Sequence, residues 1–243
     1  MRKKHIKVQI TVIIIFSIIL GFSIKYVSFG NPYKTKSNQQ KLISYGSKEQ
    51  KIIALTFDDG PHPKYTTEIL DLLNEYNIKA TFFVLGKFAE QYPEIIKRQA
   101  KEGHEIGNHT YSHINVKKVS KEKIQEEFNK TQEIILSLAG VESKVFRPPY
   151  GIFDEKIISA INKECSIVLW SQNEDHKDWS NPGVKKIADT ILSQIENGDI
   201  ILLHDYVYHN ESHTVEALKI ILPELKNKGY KFVTLSELIE ISK

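Results

Sequence analysis

The stretch KIIALTFDDGPHP, residues 51–63, carries an apolar run straight into two adjacent aspartates, Asp58 and Asp59. The run is continuous rather than alternating, which is typical of a strand buried on both faces of a parallel sheet. Two neighbouring carboxylates repel each other, and each tends to raise the pKa of the other. A structural turn needs at most one of them, so the pair predicts a partner that holds the second charge.

Apolar runs and amphipathic stretches alternate about seven or eight times along the rest of the chain. The runs KATFFVLG, HEIGNH, KVFRPPYG, SIVLWS, DIILLHD and YKFVTL predict strands, and helical patterns separate them. This alternation predicts an α/β fold with a parallel sheet. Residues 51–243 are too few for a full eight-fold barrel of about 250 residues. We therefore expect a distorted (β/α) barrel with about seven parallel strands, and an open doubly wound sheet is the alternative.

The first 50 residues differ in composition from this domain. Residues 1–7, MRKKHIK, are basic, and residues 8–24 carry no charge. Such a stretch is at the short end of the ~17–25 residues that span a bilayer, and it also fits a secretory signal. We expect residues 1–30 to be an uncleaved membrane anchor, with a cleaved signal as the alternative, and residues 31–50 to be a polar linker. Either reading exports the domain, as a single-pass protein of the cell membrane or as a secreted one.

Charge and cysteine content exclude two classes of protein. The formal net charge is only +3 and the lysines are scattered, so nothing indicates a nucleic-acid partner. Cys165 is the single cysteine, so no intramolecular disulfide forms. It begins an apolar run, which predicts a buried and unreactive thiol.

Unusual polar residues follow five of the predicted strands, in TFDDG, GNHTYSH, FRPPYG, WSQNEDHKDW and LLHD. The carboxyl ends of barrel strands converge on one face, where active sites are built. His109 and His113 have i, i+4 spacing, which allows both imidazoles to point at one place. With one aspartate of the DD pair they form a three-ligand set for one divalent metal, with zinc expected and cobalt or manganese as alternatives. The other aspartate can then act as a base on water.

The remaining motifs supply supporting groups. Arg147 in FRPPYG can bind a carboxylate and keep it ionised. His204 follows an apolar strand directly, at a place where a general acid is needed. Asp175 and Asp178 are candidate partners for that histidine, and Trp179 offers a flat apolar wall for a sugar ring.

The motifs TFDDG, HTYSH, RPPYG, DHKDW and LLHD, in this order and at these separations, resemble the five motifs of the polysaccharide deacetylases with a NodB-homology domain, carbohydrate esterase family 4. The resemblance covers nearly the whole chain from Lys51 onward. It implies a distorted (β/α) barrel and metal-dependent removal of acetyl groups from an N-acetylated glycan. Cell-wall peptidoglycan, with GlcNAc or MurNAc as the sugar, is the expected substrate, and a secreted amino-sugar polymer is the alternative.

The resemblance also implies a role for each motif residue. It makes Asp58 the base, and Asp59, His109 and His113 the metal ligands. It makes Arg147 the group that orients the base, and the backbone N–H of Tyr150 a donor to the oxyanion. It makes His204 the acid and Asp178 the residue that tunes it, with Trp179 and Leu202 lining the acetyl pocket.

Two alternatives to this activity remain open in the sequence. An O-acetyl esterase acting on xylan needs the same metal and base, although protonation of a leaving amine by His204 favours the amidase. A non-catalytic wall-binding module is the other alternative, and such a module has no need of a complete set of ligands, base and acid.

Overall fold

The computed structural model describes residues 42–171, 176–207 and 211–243. In chain order, the elements of these residues are β1 (Leu42–Ile43), β2 (Ile52–Asp58), α1 (Tyr65–Glu75), β3 (Thr81–Val84), α2 (Gly86–Gln91), α3 (Pro93–Lys101), β4 (Glu105–Asn108), α4 (Lys121–Ala139), β5 (Val145–Phe146), α5 (Glu155–Ala160), β6 (Ser166–Val168), α6 (Val184–Gln194), β7 (Ile200–His204), α7 (Thr214–Asn227), β8 (Lys231–Val233) and α8 (Leu235–Ile241).

The strands form one sheet in the order β1-β6-β5-β4-β3-β2-β7, and β8 pairs with the first half of β2. Every pairing between these strands is parallel, which confirms the predicted parallel α/β fold. The described residues contain eight strands, one more than the approximate number we expected. The additional strand is β1, which has only two residues and so adds little to the apolar pattern from which strands are predicted.

The two edges of the sheet are joined by a few hydrogen bonds rather than by a continuous ladder. Tyr45, just after β1, forms an antiparallel bridge with Asp199, just before β7. Ser171, after β6, donates its N–H to the carbonyl of Ile200 at 3.0 Å, and its Oγ accepts from the N–H of Ile200 at 3.1 Å. This irregular closure is consistent with a distorted (β/α) barrel.

Part of the predicted linker belongs to the sheet. Leu42 and Ile43 pair with Ile167 and Val168, so the boundary we expected at residue 51 is too late. Two apolar residues are too few to give a strand pattern, and their partners lie more than a hundred residues away in the chain. Residues 31–41 of the linker and the expected anchor or signal over residues 1–30 lie outside the described residues. Across the residues that are described, no helix is long and apolar enough to span a membrane.

Both faces of β2 are buried, which explains its continuous apolar run. Ile53, Leu55 and Phe57 pack in the main core, together with buried residues of α1 and α7. Ile52 and Ala54 have the opposite parity and pack in a second cluster with residues of β5, β6 and β7 and with α8. Because side chains alternate along a strand, the second set points into the barrel.

The cysteine prediction is confirmed. Cys165 is buried in a third apolar cluster between α5 and β6. Burial raises the pKa of its thiol to about 12, so the thiol stays protonated at neutral pH.

Candidate active site

Parallel pairing of β2 with β7 places two motif residues side by side. The register aligns Ala54 with Ile200 and Asp58 with His204. Asp58 has the parity of Ala54, and His204 has the parity of Ile200, so both side chains lie on the inward face. Each is the last residue of its strand, and they therefore meet at the carboxyl-terminal mouth of the barrel.

Asp58 is held by the fully buried Arg147, which directly follows β5. Nη1 of Arg147 lies 2.7 Å from Oδ1 of Asp58 and 2.8 Å from Oγ1 of Thr56, and Nη2 donates to the carbonyl of Leu169. The guanidinium also lies over the ring of Phe83, 4.2 Å from its centroid. These contacts fix Oδ1 of the carboxylate, while Oδ2 is directed towards Nε2 of His109 at 3.7 Å.

Asp59, His109 and His113 bring three potential ligand atoms within 4.8 Å of one another. Oδ1 of Asp59 lies 3.5 Å from Nε2 of His109 and 3.3 Å from Nε2 of His113. That oxygen is buried and has no hydrogen-bond partner. Leaving a buried carboxylate oxygen unpaired costs free energy, and a cation between these atoms removes the cost. Two imidazoles and one carboxylate are donors that zinc and related divalent metals accept, so the residues fit a metal.

The histidines of this cluster present the ring nitrogen that a metal needs. Nδ1 of His109 lies 2.6 Å from the carbonyl oxygen of Arg147, so it carries the proton and leaves the lone pair on Nε2. Burial lowers the pKa of His113 despite the nearby carboxylates of Asp59 and Asp58, so its ring is neutral at pH 7. A neutral imidazole is the form that binds metal.

Several residues of the site have left-handed backbone conformations that residues other than glycine rarely adopt. The φ angle is 74° at Asp59, 69° at Thr110, 60° at His113 and 62° at Tyr150. Each such residue costs on the order of 1–3 kcal/mol and persists only where its surroundings fix it. Two of the three residues of the metal-type cluster are therefore held in strained positions, which sequence patterns do not reveal.

His204 and Asp178 form a buried pair. Nδ1 of His204 lies 2.8 Å from Oδ1 of Asp178, while Oδ2 accepts from the His204 backbone N–H at 2.7 Å and from Thr214 Oγ1 at 3.0 Å. Burial lowers the pKa of His204, but the charge and hydrogen bonds of Asp178 outweigh it and raise the pKa to about 9. Burial raises the pKa of Asp178, but the charge of His204 outweighs it, so the net shift is downward. At neutral pH the imidazole is thus protonated on both nitrogens.

The remaining predicted residues lie beside these groups. The ring of Tyr150 meets the ring of His113 edge-on, with centroids 4.6 Å apart, and Tyr150 is 62 % exposed. Trp179 directly follows Asp178 and is 53 % exposed. Leu202 shares the inward face of β7 with His204 and pairs with Thr56. Asp175 lies outside the described residues, so its candidacy as a partner of His204 stays a prediction.

Asp205 is a residue of the site that sequence reasoning missed, although it belongs to the LLHD motif. It is buried, its Oδ2 accepts from Thr66 Oγ1 at 2.6 Å, and its Oδ1 has no hydrogen-bond partner. A side chain on Gly60 would place its Cβ 2.2–2.5 Å from the Asp205 carboxyl group, so glycine is required there. Burial raises the pKa of Asp205 to about 7, and the charges of Asp59 and Asp58 add to the shift.

Comparison with known proteins agrees with this site. A family model described as polysaccharide deacetylase matches residues 45–165. The chain is 44 % identical over 191 residues to a peptidoglycan-N-acetylglucosamine deacetylase of Bacillus cereus, covering 78 % of this chain and 89 % of the relative.

Two solved structures resemble the fold. One is the Bc1960 peptidoglycan N-acetylglucosamine deacetylase in complex with 4-naphthalen-1-yl-N-oxidanyl-benzamide, with a TM-score of 0.78 and 42 % identity over 83 % of this chain and 94 % of that one. The other is a family 4 acetyl xylan esterase from Clostridium thermocellum in complex with a cobalt ion. Its TM-score is 0.72, with 37 % identity over 77 % of this chain and 89 % of that one.

The parallel α/β fold gathers carboxylates and histidines at one end of its strands. Together with these similarities, it identifies a hydrolase that acts on polysaccharides. The chain belongs to the polysaccharide deacetylases with a NodB-homology domain, carbohydrate esterase family 4. The family assignment predicted from the five motifs is therefore confirmed, and so is the class of enzyme. The family depends on a metal, in agreement with the donor set of Asp59, His109 and His113.

Proposed function

We propose that this chain hydrolyses the N-acetyl group of GlcNAc residues in peptidoglycan, outside the cell, and releases acetate. The observation that carries the proposal is the buried His204–Asp178 pair beside Asp58, with Nδ1 of His204 2.8 Å from Oδ1 of Asp178, because a leaving amine needs a proton donor. The similarity to peptidoglycan-N-acetylglucosamine deacetylases supports GlcNAc as the sugar. MurNAc remains the alternative within the same polymer.

Asp59, His109 and His113 would hold one divalent metal, with zinc first and cobalt or manganese as alternatives. When bound there, the metal polarises the acetyl carbonyl and lowers the pKa of water. The unpaired buried oxygen of Asp59 supports this assignment.

Asp58 acts as the general base. Arg147 occupies Oδ1 through a charge-assisted hydrogen bond, so Oδ2 is the atom that takes the proton from the attacking water. The water oxygen then bonds to the acetyl carbon. The backbone N–H of Tyr150 donates to the oxyanion that forms, as a fixed donor needing no reorganisation.

His204 acts as the general acid. Its Nδ1 donates to Asp178, which holds the ring in place and leaves the proton on Nε2 to be given away. That proton passes to the amide nitrogen as the carbon–nitrogen bond breaks, so acetate and a free amine leave the site. Trp179 and Leu202 line the pocket for the acetyl methyl group, where apolar surface excludes water.

The substrate determines where the enzyme must act. Peptidoglycan lies outside the cell membrane, and an N-terminal anchor over residues 1–30 would hold the domain within reach of it. The basic residues 1–7 would stay on the cytoplasmic side. Secretion after cleavage of the segment is the alternative, and it would bring the domain to the same substrate.

Acetyl xylan esterase activity is the second candidate, and the similarity to the Clostridium thermocellum enzyme favours it. An ester releases an alcohol, which depends less on a strong proton donor than an amine does. The Asp178–His204 pair therefore favours amide hydrolysis. A non-catalytic wall-binding module would have no use for this pair or for the metal-type cluster.

Acetate release by the full-length chain in detergent, measured on peptidoglycan, chitin oligomers and acetylated xylan, tests the proposal. We expect release from peptidoglycan, and release that is slower by about 10²–10⁴-fold with an Asp58→Asn control. Digestion of the product with a muramidase followed by mass spectrometry then shows whether GlcNAc or MurNAc has lost its acetyl group. Release from xylan alone, or from no substrate, would contradict the proposed function.

A further inference from the structure

The loop that joins His109 to His113 has a backbone that its own sequence does not favour. Thr110 and His113 both have positive φ angles, and neither is a glycine. Such conformations persist only where neighbouring groups fix them. The contacts of the intervening residues therefore decide where the His113 ring points.

Glu127, in the middle of α4, supplies one set of these contacts. Its Oε2 accepts from the backbone N–H of Ser112 at 2.8 Å, and both carboxylate oxygens lie 3.0 Å from Ser112 Oγ. Glu127 is only 5 % exposed, and Lys123 lies 3.4 Å from its Oε1. A glutamate is seldom buried unless it is paired. The contact of Glu127 with Ser112, the residue before His113, therefore requires a reason beyond helix formation.

The other end of the loop is held through Asn108, the last residue of β4. Its Oδ1 accepts from the N–H of Thr110, and its Nδ2 donates to the carbonyl of Phe128. Thr110 Oγ1 in turn accepts from the N–H of His113 at 3.2 Å. Helix α4 thus holds the loop at two points, through the Glu127 side chain at Ser112 and through the Phe128 carbonyl at Asn108.

We infer that Glu127 is a positioning residue for the metal ligand His113, acting through Ser112. The inference rests on the proposed role of His113 as a ligand. Glu127 keeps the left-handed backbone of His113 in place, so that Nε2 faces Oδ1 of Asp59 at 3.3 Å. Groups that orient a ligand in this way typically change metal affinity by about 10–100-fold when they are removed.

Zinc titration of the metal-free, full-length protein tests the inference without any substrate. Glu127→Ala should weaken zinc binding by about 10–100-fold. Glu127→Gln keeps one oxygen acceptor for the Ser112 N–H and should recover part of the affinity. Glu126→Ala is the matched control, because Glu126 is the exposed neighbour and pairs with Lys123. Its affinity should equal that of the wild type.

Thermal unfolding of the same metal-free variants separates positioning from general support. If Glu127→Ala lowers the unfolding temperature while zinc affinity stays within twofold of the wild type, the inference is wrong. Should Glu127→Ala not fold, Glu127→Gln and Ser112→Ala decide, and both must bind zinc more weakly than Glu126→Ala. A wild type that binds no zinc, or a His113→Ala variant that binds it normally, would instead contradict the proposed function.

Discussion

Asp58 and Asp59 are neighbours in the chain, but their surroundings have almost nothing in common. Asp58 ends a strand and shares a charge-assisted hydrogen bond with the buried Arg147. Asp59 has a left-handed backbone and directs an unpaired oxygen towards His109 and His113. One carboxylate is thus neutralised by a protein cation, while the other would be neutralised by the metal proposed for this cluster. The repulsion expected from their adjacency would then be relieved by two different partners.

The charge of Asp178 sets the acidity of His204, and this has a measurable consequence. His204 carries its proton below its pKa of about 9, so the activity that needs this proton should be lost only as the pH rises through about 9. In Asp178→Asn the charge that raises the pKa is removed while burial, which lowers it, remains. The basic limb of the pH–rate profile should then move to lower pH.

Initial rates of acetate release between pH 5 and 10 measure this limb. Asp189→Asn is a suitable control, since Asp189 is an exposed residue of α6 that pairs with Lys185. The basic limb of the Asp189→Asn profile should lie at the same pH as that of the wild type. An unchanged limb in Asp178→Asn would show that another group supplies the proton.

Asp205 should make the metal-free protein less stable as the pH rises. Its pKa is about 7 in the folded protein and about 3.8 when exposed, so the folded state holds the proton that the unfolded state has lost. The free energy of unfolding therefore decreases between about pH 4 and pH 7 and is constant above. As the pH rises from 5 to 8, the free energy of unfolding of Asp205→Asn should increase by about 2–3 kcal/mol relative to that of the wild type.

Urea denaturation of both proteins at pH 5 and pH 8, with a chelator present, measures this difference. A difference between variant and wild type that does not change with pH would show that Asp205 is ionised in the folded protein throughout this range.

At the scale of elements, the close approach of β3 and β4 supports Asp58, the proposed base. Gly107 of β4 pairs with Phe83 of β3, and a Cβ on Gly107 would lie 2.4 Å from the Phe83 ring. That ring in turn packs against the Arg147 guanidinium. Gly107→Ala should therefore destabilise the protein by about 1–3 kcal/mol and also lower the rate of deacetylation.

Chemical denaturation and acetate release, measured on the same preparation of Gly107→Ala, test this link between elements. A denaturation midpoint equal to that of the wild type would mean that the strands separate without strain. A normal rate in a destabilised protein would mean that Phe83 does not govern the position of Arg147.

The elements that sequence could predict are those with strong periodicity. The long helix beginning after Ser120 lies at Lys121–Ala139, capped by the Ser120 side chain at one end and by Gly140 at the other. Strand β1 escaped prediction because two apolar residues carry no period. The helical pattern in PGVKKIADTILSQIENG, residues 182–198, corresponds to the helix Val184–Gln194, and a turn leading into β7 follows it.

Some residues of the candidate site could likewise be predicted from the sequence, and others could not. Its motif residues could be predicted because each follows an apolar strand, and parallel strands bring their carboxyl ends together. Glu127 could not, since a glutamate on an amphipathic helix is indistinguishable in sequence from an exposed one. Asp205 was not predicted because the LLHD motif was interpreted through His204 alone. The burial of Asp205 follows from its contacts with Gly60 and Thr66, which lie far away in the chain.

At the scale of the whole molecule, the location of the chain remains a prediction that fractionation can test. If residues 1–30 form an uncleaved anchor, the full-length chain should sediment with membranes and resist extraction by salt and alkali. Detergent should release it. Recovery from the culture medium of a protein beginning near Asn31 would show that the segment is a cleaved signal.

The proposed mechanism requires one carboxylate, Asp59, to bind the metal and a different one, Asp58, to transfer the proton. The most direct measurement is the zinc content and acetate release of Asp58→Asn and Asp59→Asn, side by side with the wild type. Asp58→Asn should retain zinc while its rate falls by about 10²–10⁴-fold, the usual contribution of a general base. Asp59→Asn should lose zinc and activity together, because a neutral amide is a poor ligand. Loss of zinc from Asp58→Asn, or a normal rate with zinc retained, would contradict the proposed mechanism.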